Sequence, residues 1–280
     1  MNVRLIALLL ILVGITIAGY MLLPDQKDNQ QTFDFWSQSN ESNTSNIDHR
    51  LWQDILENYI DTEHDTGVYM FDYGSIEAEE VEQLKTYIDH LSALDPRQYN
   101  KVEQKAYWIN FYNALTVKLI LDHYPVESIT DLGNTVLAFG PWDDELVHVE
   151  GQALSLNDIE HAILRPIWRD SRIHFAVNCA SYGCPNLQDN AFTSENMEAL
   201  LEKAAREYLV HDRGLRFDEG QLILSSIFDW YGEDFGANQK EVLLSLSEYL
   251  GDDLRQQLIN YQGSIEYEYS WLLNDSELFE

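Results

Sequence analysis

The chain has 280 residues and carries 17 Lys plus Arg against 48 Asp plus Glu, a formal net charge of −31 at pH 7. No clustered basic stretch is available to neutralise phosphates, so nucleic-acid binding is excluded as a primary role, and attraction to anionic lipid is disfavoured for the same reason. A chain of this length buries enough apolar surface for a sizeable core, and its Cys content, Cys179 and Cys184 alone, makes their neighbourhood the first place to look for chemistry.

The N-terminus reads MNVRLIALLLILVGITIAGYMLLP, with Arg4 ahead of an apolar run of 19 residues from 5 to 23. About 20 apolar residues cross a hydrocarbon core, whereas a signal peptide's apolar region is about 7 to 15. Residues 1–24 are therefore expected to be an uncleaved membrane anchor, with a cleaved signal sequence as the alternative. Arg4 on the cytoplasmic side leaves the remainder exported: an inner-membrane protein facing the periplasm, or a periplasmic or secreted one after cleavage. Residues 25–48 are rich in Asn, Gln and Ser and read as a polar tether, interrupted by Phe33, Phe35 and Trp36.

Residues 49–280 are expected to form one globular domain. Helical spacing of apolar residues appears over 49–60 and over 77–94, the second through Val81, Leu84, Ile88 and Leu91. A longer helix over 102–124, VEQKAYWINFYNALTVKLILDHY, is stopped by Pro125 and is apolar around much of its circumference, so it belongs at the centre. Asn110 and Asn113 lie three apart on it and need partners, since an unpaired buried amide costs about 1–3 kcal/mol. They either clamp a neighbouring loop or orient a catalytic group. Residues 137–149 read as loop followed by a short strand turning at Glu150 and Gly151.

Ser155 then opens SLNDIEHAILRPIW, with Asp158 three residues on as an acidic capping box, and the helix is expected to end near Arg165, before Pro166. The next stretch, RIHFAVNCASYGCP over 172–185, alternates like a strand. Such a strand puts Ile173, Phe175, Val177 and Cys179 on one face and His174, Ala176 and Asn178 on the other, so His174 is the wrong partner for Cys179. A helix over 195–210, a hairpin LRFDEGQLILS turning at Glu219 and Gly220, helices over 226–235 and 241–259, and a tail that adds an edge strand complete the chain.

A thiol at a strand end beside a turn is a suitable nucleophile when a base lowers its pKa from about 8.5. Cys179 is the expected nucleophile and His161 its base, with His174 as substitute; Asn110, Asn113 or Glu160 would orient the imidazole, and backbone amides of the turn 180–183 would hold an oxyanion. Cys184 is an alternative thiol. In an oxidising compartment, however, Cys179 and Cys184 form a short-range disulfide, which removes the nucleophile and leaves a stapled binding module that grips a peptide or glycan with its aromatics. A metal site from His161, His174, Cys179 and Cys184 is a third, weaker pattern, because neither a second Cys pair nor an H-E-x-x-H helix is present. No cofactor is called for.

Three segments, KAYWINFYNALTVKLIL, SLNDIEHAILR and RIHFAVNCASYGCPNL, in this order and at these separations resemble the family called domain of unknown function 547 over residues 105–187. The positions that carry the resemblance are Trp108, Asn110, Tyr112, Asn113, Glu160, His161, His174, Asn178, Cys179, Cys184 and Pro185. The later helix, hairpin and tail look like the family's C-terminal part, although the tail here reads SWLLN where the family more often shows DWSLN. The family carries no assigned activity, so the resemblance implies a domain and a site rather than a reaction. The expected fold is α+β: a helix-rich domain packed on a small, mainly antiparallel sheet behind an N-terminal membrane segment. The expected activity is that of a thiol hydrolase or acyltransferase on an amide, peptide or ester, with a small molecule or peptide as ligand; the alternative is a stapled, non-catalytic binding module.

Overall fold

A helix of 23 residues, Lys101–His123, organises the domain. Asn100 caps it by accepting from the amides of Val102 and Glu103, and residues from Glu103 to Val117 are buried around its whole circumference. The computed structural model describes residues 26–133 and 140–279. It separates into a unit ending at Gln38, in which Gln26–Trp36 is helical within the stretch read as a tether, and a second unit from Ser39 onward that holds everything below. The expected anchor over 1–24 lies outside the described residues. Among the described residues, no helix is long and apolar enough to cross a membrane.

In the second unit, helices Arg50–Tyr59 and Ala78–Ser92 present their apolar stripes to the interior, burying Trp52, Ile55 and Leu56 from the first and Leu84, Tyr87, Ile88 and Leu91 from the second. Strands β1 (Ile60–Asp61) and β2 (Met70–Phe71) pair antiparallel, as do β3 (Val147–Val149) and β4 (Gln152–Leu154) across the turn at Glu150 and Gly151. Strands β5 (Leu215–Asp218) and β6 (Gln221–Ser225) form the expected hairpin. Glu219 and Gly220 both have positive φ, 48° and 88°, the primed turn that matches the strands' twist. The tail strand β7 (Ile265–Glu268) joins β6 in parallel. The α+β class and its helix-rich character hold, but the sheet is not one: among the described residues the strands fall into two-, two- and three-stranded sheets, the last of mixed sense. A hydrophobic cluster between this last sheet and the helices Met197–Val210, Gln239–Ser247 and Asp252–Ile259 includes Phe175, Tyr208, Leu224, Phe228 and Leu246. The long helix expected over 241–259 is thus two, separated at Leu250 and Gly251.

Two local expectations are corrected. The helix opened by Ser155 has its capping box, Asp158 Oδ2 accepting from Ser155 N and Oγ at 2.9 and 2.6 Å and Ser155 Oγ from Asp158 N at 3.1 Å. It then widens to a π-helix over Asp158–Leu164 and continues through Pro166 as Arg165–Trp168. The proline stands in the first turn of that α segment, where a missing N–H is tolerated. The segment read as a strand over 172–179 is a 3₁₀ turn, Ser171–Phe175, followed by irregular backbone. Among the described residues no strand pairs with it. The turn bonds to itself, Ile173 N to Asp170 O and the amides of Ala176 and Val177 to Ile173 O, and the central helix satisfies two further groups, Asn113 Nδ2 donating to Ala176 O (2.9 Å) and Asn113 Oδ1 accepting from Asn178 N (2.8 Å). The alternation that removed His174 from the site therefore does not apply.

Candidate functional site

The 179–185 loop is built by its own side chains. Ala180 takes φ +58°, costly for a residue with a Cβ, and Asn178 holds it there by accepting from Ala180 N (2.8 Å) while donating to Pro185 O (2.7 Å). Cys179 and Cys184 close the same loop as a disulfide. The C-terminal tail runs against the turn, taking Tyr182 N to Leu272 O (2.7 Å) and Gly183 N to Ser270 O (2.9 Å). A Cβ on Gly183 would stand 2.8 Å from the Ser270 backbone, so only glycine permits that approach.

This loop forms part of the lining of a cavity of about 890 Å³, within the range of small-ligand sites. Cys179, Cys184 and Pro185 come from the loop and Val177 from just before it, Tyr112 from the central helix, Glu160 and His161 from the π-helix with Asn157 at its start, and His174 from the 3₁₀ turn. An aromatic wall faces them. Trp230 and Trp271 stack at 5.7 Å with an interplanar angle of 21°, Tyr269 lies 4.6 Å from Trp271, and Trp142 meets Trp271 edge-on at 5.4 Å. Trp230 is 45% exposed, a large apolar face left open at the cavity.

Beside the disulfide lies a charged network. His174, 3% exposed, shares a hydrogen bond of 2.7 Å between Nε2 and Asp234 Oδ2, while its Nδ1 stands 3.5 Å from Glu160 Oε1. Tyr231 stacks on its ring at 4.6 Å and 13°. Arg165 donates from Nε to the same Asp234 oxygen (2.6 Å), and its guanidinium sits 4.9 Å over Tyr231. Burial opposes a charged His174, yet its hydrogen bonds to Asp234 and Glu160 win and raise its pKa above the usual 6.5. Burial also works against Asp234, whose carboxyl the His174 and Arg165 hydrogen bonds hold below the ordinary range. Burial works against an ionised Glu160 as well, but the neighbouring His161, His174 and Arg165 together lower its pKa. His161 moves the other way: burial lowers its pKa more than Glu160, 3.9 Å away, raises it. The two imidazoles are thus tuned apart: His174, between two carboxylates, is biased toward its charged form, and His161, at the cavity surface, toward its neutral one.

Of the expected site residues, Cys179, Cys184, His161, His174 and Glu160 share this cavity. Asn110 and Asn113 do not reach it. Asn110 exchanges two hydrogen bonds with the Phe192 backbone, at 2.7 and 2.9 Å, and Asn113 holds Ala176 and Asn178, so both amides act as clamps. Of the turn amides expected to hold an oxyanion, those of Ala180, Tyr182 and Gly183 are already taken. Among the described residues no group of three or more His, Cys, Asp or Glu side chains is arranged to hold a metal ion. Sequence reasoning missed Arg165, Tyr231, Asp234, Tyr269 and the tryptophan wall. The aromatic density of SIFDWYGEDF and YEYSW was the available signal.

Residues 96–209 match the family described as "Protein of unknown function, DUF547". The match covers every position on which the sequence resemblance rests. No curated protein and no solved structure matches the chain.

Proposed function

We propose that the domain is a disulfide-stapled binding module of the cell envelope, exported beyond the N-terminal membrane segment, whose cavity takes a peptide. The observation that carries this reading is the disulfide: the two sulfurs, either of which could have served a thiol hydrolase, are bonded to each other in the cavity lining. A disulfide is also what an oxidising compartment maintains. The open tryptophan face provides an apolar anchor of the kind that dominates peptide interfaces. Asp143, Asp144 and Glu160 at the cavity, on a chain of net charge −31, favour a basic residue next to the anchored side chain.

Titration of the full chain with acetyl-Lys-Trp-Lys-amide, followed by tryptophan fluorescence, tests the reading. Saturable quenching that is weakened about tenfold by Trp230→Ala supports it. Equal quenching by acetyl-Glu-Trp-Glu-amide, or none by either peptide, overturns it. The thiol hydrolase reading retains one geometric support, the shared cavity of Cys179, His161 and Glu160. Free-thiol quantification on protein taken from its native compartment separates the two: a nearly complete disulfide favours the binding module, and one free thiol of low pKa favours the hydrolase.

A further inference from the structure

We infer that a second cavity, built around Arg213, binds a carboxylate group, supplied by a small organic acid or by the end of a peptide. The cavity has a volume of about 350 Å³ and shares Tyr269, but no other lining residue, with the first. Its occupation is therefore independent of the peptide reading above.

Arg213 differs from the other arginines of the domain. Among the described residues Arg50, Arg97, Arg165, Arg172, Arg206 and Arg216 each bridge a carboxylate, and the unbridged Arg169 and Arg255 are exposed to water. Arg213 alone is drawn in from solvent with no bridging carboxylate. Its Nη1 donates to Tyr182 O at 3.3 Å and its Nη2 to Asn186 Oδ1 at 2.5 Å, both neutral acceptors. The Tyr208 ring lies 5.4 Å from the guanidinium, and the Nε–H is buried without an acceptor. The protein thus uses two of the five N–H groups, and each Nη keeps one to offer. Burial works against the charge and lowers the pKa from its ordinary value, although a guanidinium remains a cation. Glu207 favours that charge through space, but its own oxygens accept from Tyr69 Oη (2.9 Å) and Gln188 Nε2 (3.2 Å). A withdrawn cation held by neutral oxygens lacks its counter-charge, and a carboxylate accepting from both Nη atoms side by side supplies it.

The rest of the lining narrows the ligand. His211 has both ring nitrogens engaged, Nδ1 accepting from Arg213 N (3.1 Å) and Nε2 donating to Thr66 O (2.9 Å). Arg216 is bonded to Glu268 (2.6 Å), which leaves Arg213 as the cation without a bonded acid. Asp212 and Glu268 line the same cavity, so a dianion such as phosphate is repelled, whereas a monocarboxylate matches one uncompensated positive charge. Ser270, whose hydroxyl has no partner among the described residues, adds a donor, and the rings of Tyr182 and Tyr269 add apolar flanks. The volume exceeds that of a carboxylate alone and leaves room for the carbon skeleton behind it. The bond from Gly183 N to Ser270 O (2.9 Å) joins two of the walls before any ligand arrives.

The test uses the full chain, ¹⁵N-labelled and titrated at constant ionic strength with acetate, N-acetylglycine, N-acetylglycinamide and inorganic phosphate, with amide chemical shifts as the readout. Acetate and N-acetylglycine should produce saturable shifts of the Gly183, Arg213 and Ser270 amides, and N-acetylglycinamide and phosphate should bind at least about tenfold more weakly. Tighter binding of N-acetylglycine than of acetate assigns the site to a peptide end, and equal binding assigns it to a free acid. Arg213→Lys keeps the charge but loses the fork, and should weaken N-acetylglycine about tenfold. Arg213→Gln should abolish saturation. Absence of saturable shifts at the three amides, equal binding of N-acetylglycinamide or phosphate, or unchanged affinity in a folded Arg213→Gln chain overturns the inference and leaves Arg213 a structural cation. The comparison among ligands is made on the unmutated chain and holds whatever the stability of the variants. Failure here leaves the peptide reading intact, because acetyl-Lys-Trp-Lys-amide carries no carboxylate; loss of that peptide's binding likewise leaves the Arg213 site standing.

Discussion

Two sets of buried polar side chains lie against one another, and they are satisfied in opposite ways. Asn110 and Asn113 on the central helix bond only to backbone, at Phe192 and at Ala176 and Asn178. Glu160 and His174, as deeply buried, bond to other titratable groups and line a cavity. Neutral amides fixed to backbone shape the loop and have one state. Ionisable groups that satisfy one another have several, and their balance responds to pH and to anything entering the cavity. Burial of a polar group therefore does not mark function by itself; the identity of its partners does.

The largest expected effect comes from the clamps. Asn113→Ala leaves a buried carbonyl at Ala176 and a buried amide at Asn178 without their partner, and should cost about 2–5 kcal/mol in urea-induced unfolding. A loss below about 1 kcal/mol would erase the distinction between the two sets. Removing the staple by the double change Cys179→Ala and Cys184→Ala frees a loop with a sequence separation of 5, for which chain entropy gives a loss of about 2 kcal/mol by the same measurement.

The charged network should show its character in pH dependence. His174 has a folded pKa above its unfolded value, so its contribution is fully present below the usual 6.5 and is lost as pH rises through the folded pKa. Asp234 has a depressed folded pKa, and its contribution is present above the usual 3.8 and lost as pH falls toward the folded value. The stability gap between the wild type and His174→Gln should therefore be widest between these limits, about 1–3 kcal/mol, and narrow as pH rises through the folded pKa of His174. A gap that widens with rising pH, or an imidazole NMR titration midpoint below 6.5 for His174, would contradict the charged assignment. The smallest stability effect belongs to Trp230→Ala, expected within about 1 kcal/mol because the side chain is 45% exposed, although the same change should weaken peptide binding.

Local pattern carried much of this architecture. The central helix announced itself through its apolar circumference and its stop at Pro125, the capping box through Ser155 and Asp158, and the hairpin through Glu219 and Gly220. Cys179, Cys184, His161, His174 and Glu160 were legible as site candidates because reactive residue types fell close together in the chain. The error at 172–179 has an identifiable cause. Alternation implies one buried and one open face, whereas residues 173–178 are buried throughout; a strand also needs a neighbour, and here Asn113 bonds the backbone in its place. The same asparagine was thus read correctly as needing a partner, while the partner's conformation was not legible from either segment alone.

The sequence by itself determined the elements whose signals are local: helix periodicity, caps, turn residues, the acidic charge and the proximity of the two cysteines. Only the tertiary structure decided what surrounds those cysteines. Asp234 lies 60 residues from His174 and Tyr269 lies 85 from Cys184 along the chain, and neither spacing has a period that sequence can express. Such contacts are set by how the tail, the π-helical segment and the central helix pack at once, since a buried ionisable or polar group settles only where the assembled fold supplies it with a partner.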